Sequence, residues 1–374
     1  MSVSILEVKS KKELKKFIWF GINLYKDCEF AAPPLAMDDL LNLTKGKNPA
    51  LDFCETAYFL AYKENKIAGR IAAIINPIGN ETWNQKHARF GWIDFIDDLE
   101  VSKALFDTAV AWSKEKGMTS IHGPLGFTDF DKEGTLIEGY DKPGTLATIY
   151  NYPYYPEHIE KYGFVKDMDW DEFLITIPDV FPEKYFRIAE IVKQKYNLTP
   201  KYFNTRKEVV DRYASKIFDL LNLCYQNLYG FSKLNEKQIA FYIKLYFSVF
   251  RLDTISIVVD EKDDVIALGI AMPSFTKALR KAKGRLFPFG WYYMLGALRK
   301  NTVVDLYLMA VHPDYQSKGV NSIMFADLMP NFAKNGYKVA ESNPELEDNT
   351  RMSSQWGSFE NFNHKKRRVY IKDI

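Results

Sequence analysis

The chain of 374 residues sets 50 Lys and Arg against 48 Asp and Glu, a formal charge of +2, and is 47% apolar. That balance excludes a chain charged throughout to coat nucleic acid, and ordinary Gly and Pro usage excludes a fibrous or disordered one. At about 150 residues per domain the length suits two domains, while scattered cysteines at Cys28, Cys54 and Cys224 exclude a disulfide framework or zinc ribbon and point to a reducing cytoplasm.

Met1 to Lys16 is interrupted by lysines and glutamates and lacks the apolar core of a signal peptide. Strands at Ala57–Tyr62 and Ile67–Ile75 around Glu64-Asn65 predict a hairpin, with a third strand at Ala88–Ile96. Leu99–Lys116 aligns Val101, Leu105, Ala109 and Trp112 on one helical face and stops at Gly117. Met118–His122 reads as a short strand and Trp170–Ile177 as the one that closes this half. Past a boundary at Pro178–Glu183 the order recurs. Helices around Val209–Tyr225 and Glu236–Phe250 lead into a hairpin, Thr254–Val259 with Val265–Met272, and then a strand, Val303–Val311. A helix bearing Val320, Met324, Leu328 and Phe332 follows to Gly336, then a strand at Tyr337–Glu341. The pattern predicts a mixed α/β (α+β) architecture and a diverged tandem duplication, residues 1–180 and 181–374.

Phe95 to Gly117 spans 22 positions and Met309 to Gly336 spans 27, so the second half has five extra residues where strand turns into helix. They fall in Val311-His312-Pro313-Asp314-Tyr315-Gln316-Ser317-Lys318-Gly319-Val320-Asn321. Pro313 blocks the strand, and a helix opens at a glycine. Such a turn leaves main-chain N–H groups unpaired beside the positive end of a helix dipole, a cradle for a diphosphate. Gly319 permits close approach, Lys318 and Gln316 add charge and a donor, and Ser322 adds a hydroxyl. A lone Q-x-x-G also occurs as a plain strand-to-helix turn whose glycine relieves strain.

With V-x-P at Val311-His312-Pro313, Q-x-x-G at Gln316 to Gly319, and a strand and helix on either side, the sequence resembles the GNAT superfamily of acyl-CoA N-acyltransferases. Asn321 departs from that pattern, where the family prefers Gly or Ala. Asn349-Thr350-Arg351-Met352 resembles the start of the family's last helix, and Tyr154 to Phe164 resembles that helix's ending in the first half. Phe95-Ile96-Asp97-Asp98-Leu99 has two acids where phosphates would sit, so the resemblance implies one active lobe and one structural lobe.

The activity it implies is N-acyl transfer from CoA to a primary amine, an acetyltransferase first of all, with acetyl-CoA or a longer acyl-CoA as cosubstrate, held by Gln316, Ser317, Lys318, Gly319, Val320, Asn321, Ser322 and Asn349. The thioester would lie against Met309, Ala310 and Val311, where a main-chain N–H stabilises the oxyanion. The implied acceptor is a small-molecule or amino-acid-like amine, and its proton needs a carboxylate. Glu341, Glu345 and Glu347 are candidates, or else solvated loop acids. Trp356 occupies the position of the family's tyrosine acid, which leaves Ser353, Ser354 or unaided departure of the thiolate.

Thr276–Asn301 holds seven basic residues, no acids, and Phe287, Phe289, Trp291, Tyr292 and Tyr293. It suits an anionic acceptor, a lipid surface or nucleic acid, or a packed helical insertion with basic ends. Its uncharged run Leu286–Leu298 is too short for a bilayer, which needs about 20 residues. Gly134–Gly139 has P-loop spacing but Tyr140-Asp141 where Lys-Ser/Thr belongs. The histidines lack metal spacing, so no metal is expected. Pro330 should kink or shorten its helix, and Lys365–Arg368 reads as the exposed start of a final strand. Two other functions fit the duplication. One is an aminoacyl-tRNA-dependent transferase of the peptidoglycan-bridge type, a group that generally lacks the turn; the other is a non-catalytic CoA-binding protein.

Overall fold

The computed structural model describes residues 2–246, 250–349 and 355–374. Its first half runs β1 (Ser4–Glu7), α1 (Lys11–Leu24), α2 (Ala36–Asn42), β2 (Glu55–Lys63), β3 (Lys66–Ile75), α3 (Pro77–Thr82), β4 (His87–Phe95), α4 (Leu99–Glu115), β5 (Ser120–Gly123), β6 (Thr135–Glu138), α5 (Tyr154–Lys161) and β7 (Val165–Thr176). Its second half runs α6 (Glu183–Tyr196), β8 (Thr199–Lys201), α7 (Arg206–Tyr225), α8 (Glu236–Tyr246), β9 (Ile255–Val259), β10 (Val265–Pro273), α9 (Thr276–Ala282), α10 (Gly290–Arg299), β11 (Val303–Val311), α11 (Asn321–Lys334), β12 (Val339–Ser342), β13 (Glu345–Leu346) and β14 (Asn361–Asp373).

Local chemistry explains the elements. Glu64 and Asn65 both take positive φ, 53° and 61°, the two-residue turn that matches the twist of a hairpin. The lysine-rich start becomes α1 because Ser10 and Glu13 form a reciprocal capping box and Phe17, Ile18 and Ile22 share a buried face. Pro330 does not shorten α11, which continues to Lys334.

The strands join in one mixed sheet, ordered β1-β2-β3-β4-β5-β14-β7-β12-β11-β10-β9-β8, with β6 on β14 and β13 on β7. Read inward from either end, five strands of one half are followed by the last strand of the other. β14 thus pairs with β5, β7 pairs with β12, and the two exchanged strands pair with each other at the centre. The boundary expected at residue 180 falls between β7 and α6, and the sheet continues across it. Each half packs helices on both faces. In the second half α7 buries Tyr213, Ile217 and Leu221 on one side, and α11 buries Phe325, Leu328 and Phe332 on the other. Helix α6 lies over α11 through Ala189 and Val192.

The basic run at Lys365–Arg368 is not exposed. It lies inside β14, where strand alternation turns Lys365 and Arg367 inward, at 1% and 0% exposure. Glu172 on β7 and Glu341 on β12 meet them there. The Lys365 ammonium lies 2.7 Å from Glu172 and 2.5 Å from Glu341, and Arg367 donates to Glu172. Among the described residues, no helix is long and apolar enough to cross a membrane.

Candidate functional site

β11 and β12 run parallel only between Val303/Val339 and Leu306/Ser342. Consecutive Ile270 and Ala271 on β10 face Leu308 and Leu306, so Tyr307 is a bulge, and beyond it β11 diverges from β12. Asn343 holds the mouth of this gap, donating its main-chain N–H to the Leu306 carbonyl at 3.2 Å and its Nδ2 to the Tyr307 carbonyl at 2.9 Å. His312 donates to the Ile266 carbonyl at 2.8 Å. Antiparallel alternation then turns the Ala310 N–H toward β10 and those of Met309 and Val311 toward the open edge. The Met309 carbonyl accepts from Tyr225 Oη at 3.2 Å, and the Val311 carbonyl accepts from Cys224 Sγ at 3.3 Å and Gln316 Nε2 at 3.1 Å. The edge is therefore left with N–H donors to offer.

Past β11 the chain makes a short 3₁₀ turn at Pro313–Tyr315, then takes positive φ at Ser317 (59°) and Gly319 (77°) before α11. The N–H groups of Tyr315, Gln316, Lys318 and Ser322 find carbonyl acceptors. Those of Ser317, Gly319, Val320 and Asn321 have no acceptor among the described residues, and they gather at the positive end of the 14-residue α11. The side chains contribute less than the sequence suggests. Gln316 is drawn back onto the Val311 carbonyl, and Ser322 Oγ donates to the Gly319 carbonyl at 2.7 Å. The Lys318 ammonium lies over Tyr196 and Tyr315, 5.4 Å from each ring centre. Val192 of α6 walls one side of the turn, with its Cγ2 at 3.4 Å from where a Cβ on Gly319 would stand.

In the first half β4 has a matching irregularity at Trp92, φ 42°, but no such turn. Asp98 Oδ1 accepts from the N–H groups of Glu100 and Val101 at 3.0 and 3.4 Å, and Lys63 pairs with its other oxygen at 2.5 Å. The first donors of α4 are thus taken by the chain's own carboxylate.

A cavity of about 790 Å³ opens from Tyr307, Leu308, Asn343 and Pro344 and runs between the halves. Its walls are mainly apolar, with Phe218, Ile270 and Met272 from one half, Ala31 and Leu35 from the other, and Leu279 and Leu298 from the insertion. The loop after β5 and helix α2 bring acids into it, namely Asp129, Asp131 and Glu133 with Asp38 and Asp39. Burial pushes Asp129 up to about 7 and Asp38 up to about 6, and drives Glu133 well above the carboxylate range. Asp129 Oδ1 and Glu133 Oε1 have no hydrogen-bond partner among the described residues. Sequence reading missed this cluster. Its signal is Asp129-Phe130-Asp131-Lys132-Glu133, acids interleaved with an aromatic just ahead of Gly134.

The acids singled out from sequence lie elsewhere. Glu341 is tied to Lys365. Glu345 accepts from Trp356 Nε1 at 2.8 Å, and burial pushes it up to about 7. Glu347 pairs with Lys166 at 2.5 Å. None of the three lines the cavity. Ser353, Ser354 and Thr350 to Met352 lie outside the described residues, and the Asn349 N–H folds back onto the Leu346 carbonyl at 2.9 Å. Glu172, Glu341 and His364 bring possible metal-ligand atoms within 4.8 Å of one another, but the Lys365 ammonium already bridges the two carboxylates.

No protein-family model matches the chain. It is 29% identical over 373 residues to Protein YghO of Escherichia coli (strain K12), covering 98% of this chain and 94% of that one. It is 27% identical over 324 residues to the bacterial ceramide synthase of Caulobacter vibrioides (strain NA1000 / CB15N), covering 84% and 82%. A tandem GNAT protein from the clavulanic acid biosynthesis pathway aligns with 100% of this chain and 98% of its own, with a TM-score of 0.56 at 11% identity. The exchanged last strands, the bulged and diverging β11 and the likeness to that tandem protein agree that the chain has the tandem GNAT fold, with the strand-to-helix turn, among the described residues, in its second half.

Proposed function

We propose that the chain is an acyl-CoA-dependent N-acyltransferase that moves a long acyl group onto a primary amine. The observation that carries this reading is the set of four unpaired N–H groups at Ser317, Gly319, Val320 and Asn321, at the end of a strand whose free edge leads into an apolar cavity. The diphosphate of coenzyme A sits on those four donors, and the pantetheine amides pair with the Met309 and Val311 edge like an added strand. The Met309 N–H, closer to the bulge, stabilises the oxyanion. The acyl chain runs into the cavity, whose size and apolarity exceed the needs of an acetyl group.

The amine nitrogen attacks the thioester carbon, the C–S bond breaks, and the amine proton passes to Asp129, which is in the cavity and poised near neutrality. Tyr225, whose hydroxyl sits on the Met309 carbonyl, stands at the edge where the thiolate leaves and is positioned to protonate it; Trp356 is engaged with Glu345 instead. The relative named a ceramide synthase favours an acceptor that is itself a long-chain amine, since ceramide is the amide of such a base.

Thermal unfolding with added ligand tests the reading. A ligand at 100 times its Kd adds about 2.7 kcal/mol of stability, and palmitoyl-CoA is expected to raise the midpoint more than acetyl-CoA at equal concentration. Gly319→Glu puts bulk and negative charge into the turn, so it should abolish both shifts while the apo protein still melts cooperatively. Unchanged midpoints with every acyl-CoA, together with binding of aminoacyl-tRNA, would overturn the reading.

A further inference from the structure

The segment around α9 and α10 leaves large apolar side chains in water. Phe287 is 70% exposed, Phe289 66% and Tyr292 64%. Beside them Lys277, Lys281, Lys283, Arg285, Arg299 and Lys300 are all exposed, and residues 276–301 contain no acid. Helix α2 adjoins this segment, since the Ala36 N–H donates to the Gly284 carbonyl at 2.9 Å. Met37 and Leu41 on α2, and Trp291 and Leu295 on α10, are both exposed and part of the cavity wall, so the cavity opens to the outside between these two helices.

A short helix with Trp, Tyr and Leu along one side and a cationic rim is suited to lie in a bilayer interface. Aromatic residues on a solvent-exposed patch of this kind mark an interaction surface. The geometry points to an anionic phospholipid bilayer as the occupant of this face, with Phe287 and Phe289 inserted, the basic residues on the headgroups, and the mouth between α2 and α10 turned toward the acyl chains. The charge sign selects anionic lipid. The patch adjoins an apolar cavity, lined by its Trp291 and Leu295, which suits acyl chains better than a nucleic-acid backbone and favours lipid over RNA. The inference goes beyond the acyl-transfer reading and does not depend on it, because binding to membrane needs neither coenzyme nor turnover.

Flotation of the full chain with vesicles tests it, using phosphatidylcholine alone and phosphatidylcholine mixed with phosphatidylglycerol. The wild type is expected to float with the mixed vesicles, several-fold less with phosphatidylcholine alone, and less as salt is raised. Phe287→Ser with Phe289→Ser should lower the partition about tenfold or more, and Lys277→Glu with Lys283→Glu should lower it on mixed vesicles only. Both variants should keep the acyl-CoA melting shift, so loss of that shift in the wild type would count against the transferase reading and leave the membrane result standing. Failure of the wild type to float, equal flotation on both vesicle types, unaltered partition in a folded variant pair, or binding to RNA in place of vesicles would each overturn the proposal.

Discussion

At the scale of single residues, the proposed proton acceptor is Asp129. Burial lifts its carboxyl to about 7 from the ordinary ~3.9, so the fold favours its protonated form, whereas the proposed role requires its ionised form. Activity should therefore rise with pH through about 7 and level off above it. Asp129→Asn should lower kcat by about 100-fold or more while acyl-CoA binding persists, and a pH profile of the variant at residual activity should lose that limb. The same shift bears on stability. A raised folded pKa favours the fold below the unfolded value and loses that contribution as pH climbs through the folded one. Wild type should thus lose stability relative to Asp129→Asn between about pH 4 and pH 8, read from urea midpoints.

Glu172 has the opposite sign. Burial would raise its pKa, but the charges of Arg367 and then Lys365 outweigh that and hold it at about 2. Its contribution is present above the ordinary carboxylate value of ~4.3 and fades as pH falls toward 2. Glu172→Gln leaves Arg367 buried without its counter-charge, and a loss of about 3–5 kcal/mol is expected at pH 7. A cost under about 1 kcal/mol would mean that water reaches the cluster.

At the scale of elements, β14 is the last strand of the sequence and a central strand of the sheet, bonded to β5 on one side and β7 on the other. Tyr370 on it is fully buried in the core of the first half, with Phe90 and Tyr155 in the same cluster. Tyr370→Ala should cost about 3–5 kcal/mol. Hydrogen exchange should quicken in β5 before it quickens in β9 and β10; the reverse order would contradict the exchange of strands. Most elements could be read locally, because hairpin turns, capping glycines and helical stripes are local signals. The partnership of β14 could not, since a strand's sequence records that it has two faces and not which strand lies beside it. For the same reason Lys365 and Arg367 resemble surface charge until Glu172 and Glu341 are seen opposite them. The capping box of α1, Ser10 with Glu13, is contiguous in the sequence, yet the lysines around it hide the helical stripe that the structure shows.

At the scale of the whole molecule, the two halves present similar strand edges, and among the described residues one of them, β11, ends in an open turn. The turn could be read from sequence because it is contiguous, with a proline, a glycine and five extra residues between a strand and a helix. The cavity acids could not, since Asp129 and the β11 residues Tyr307 and Leu308 line one cavity only when the halves share a sheet, and no spacing in the chain records that meeting. The proposed site would thus take its coenzyme groove from one half and its proton acceptor from the other. Mapping amide resonances during titration with palmitoyl-CoA tests this division most directly. The N–H signals of Ser317, Gly319, Val320 and Asn321 should move most and gain protection from exchange, while those of Asp97, Asp98 and Leu99 stay in place. Shifts confined to the first half, or none at residues 317–321 when the ligand saturates, would contradict it.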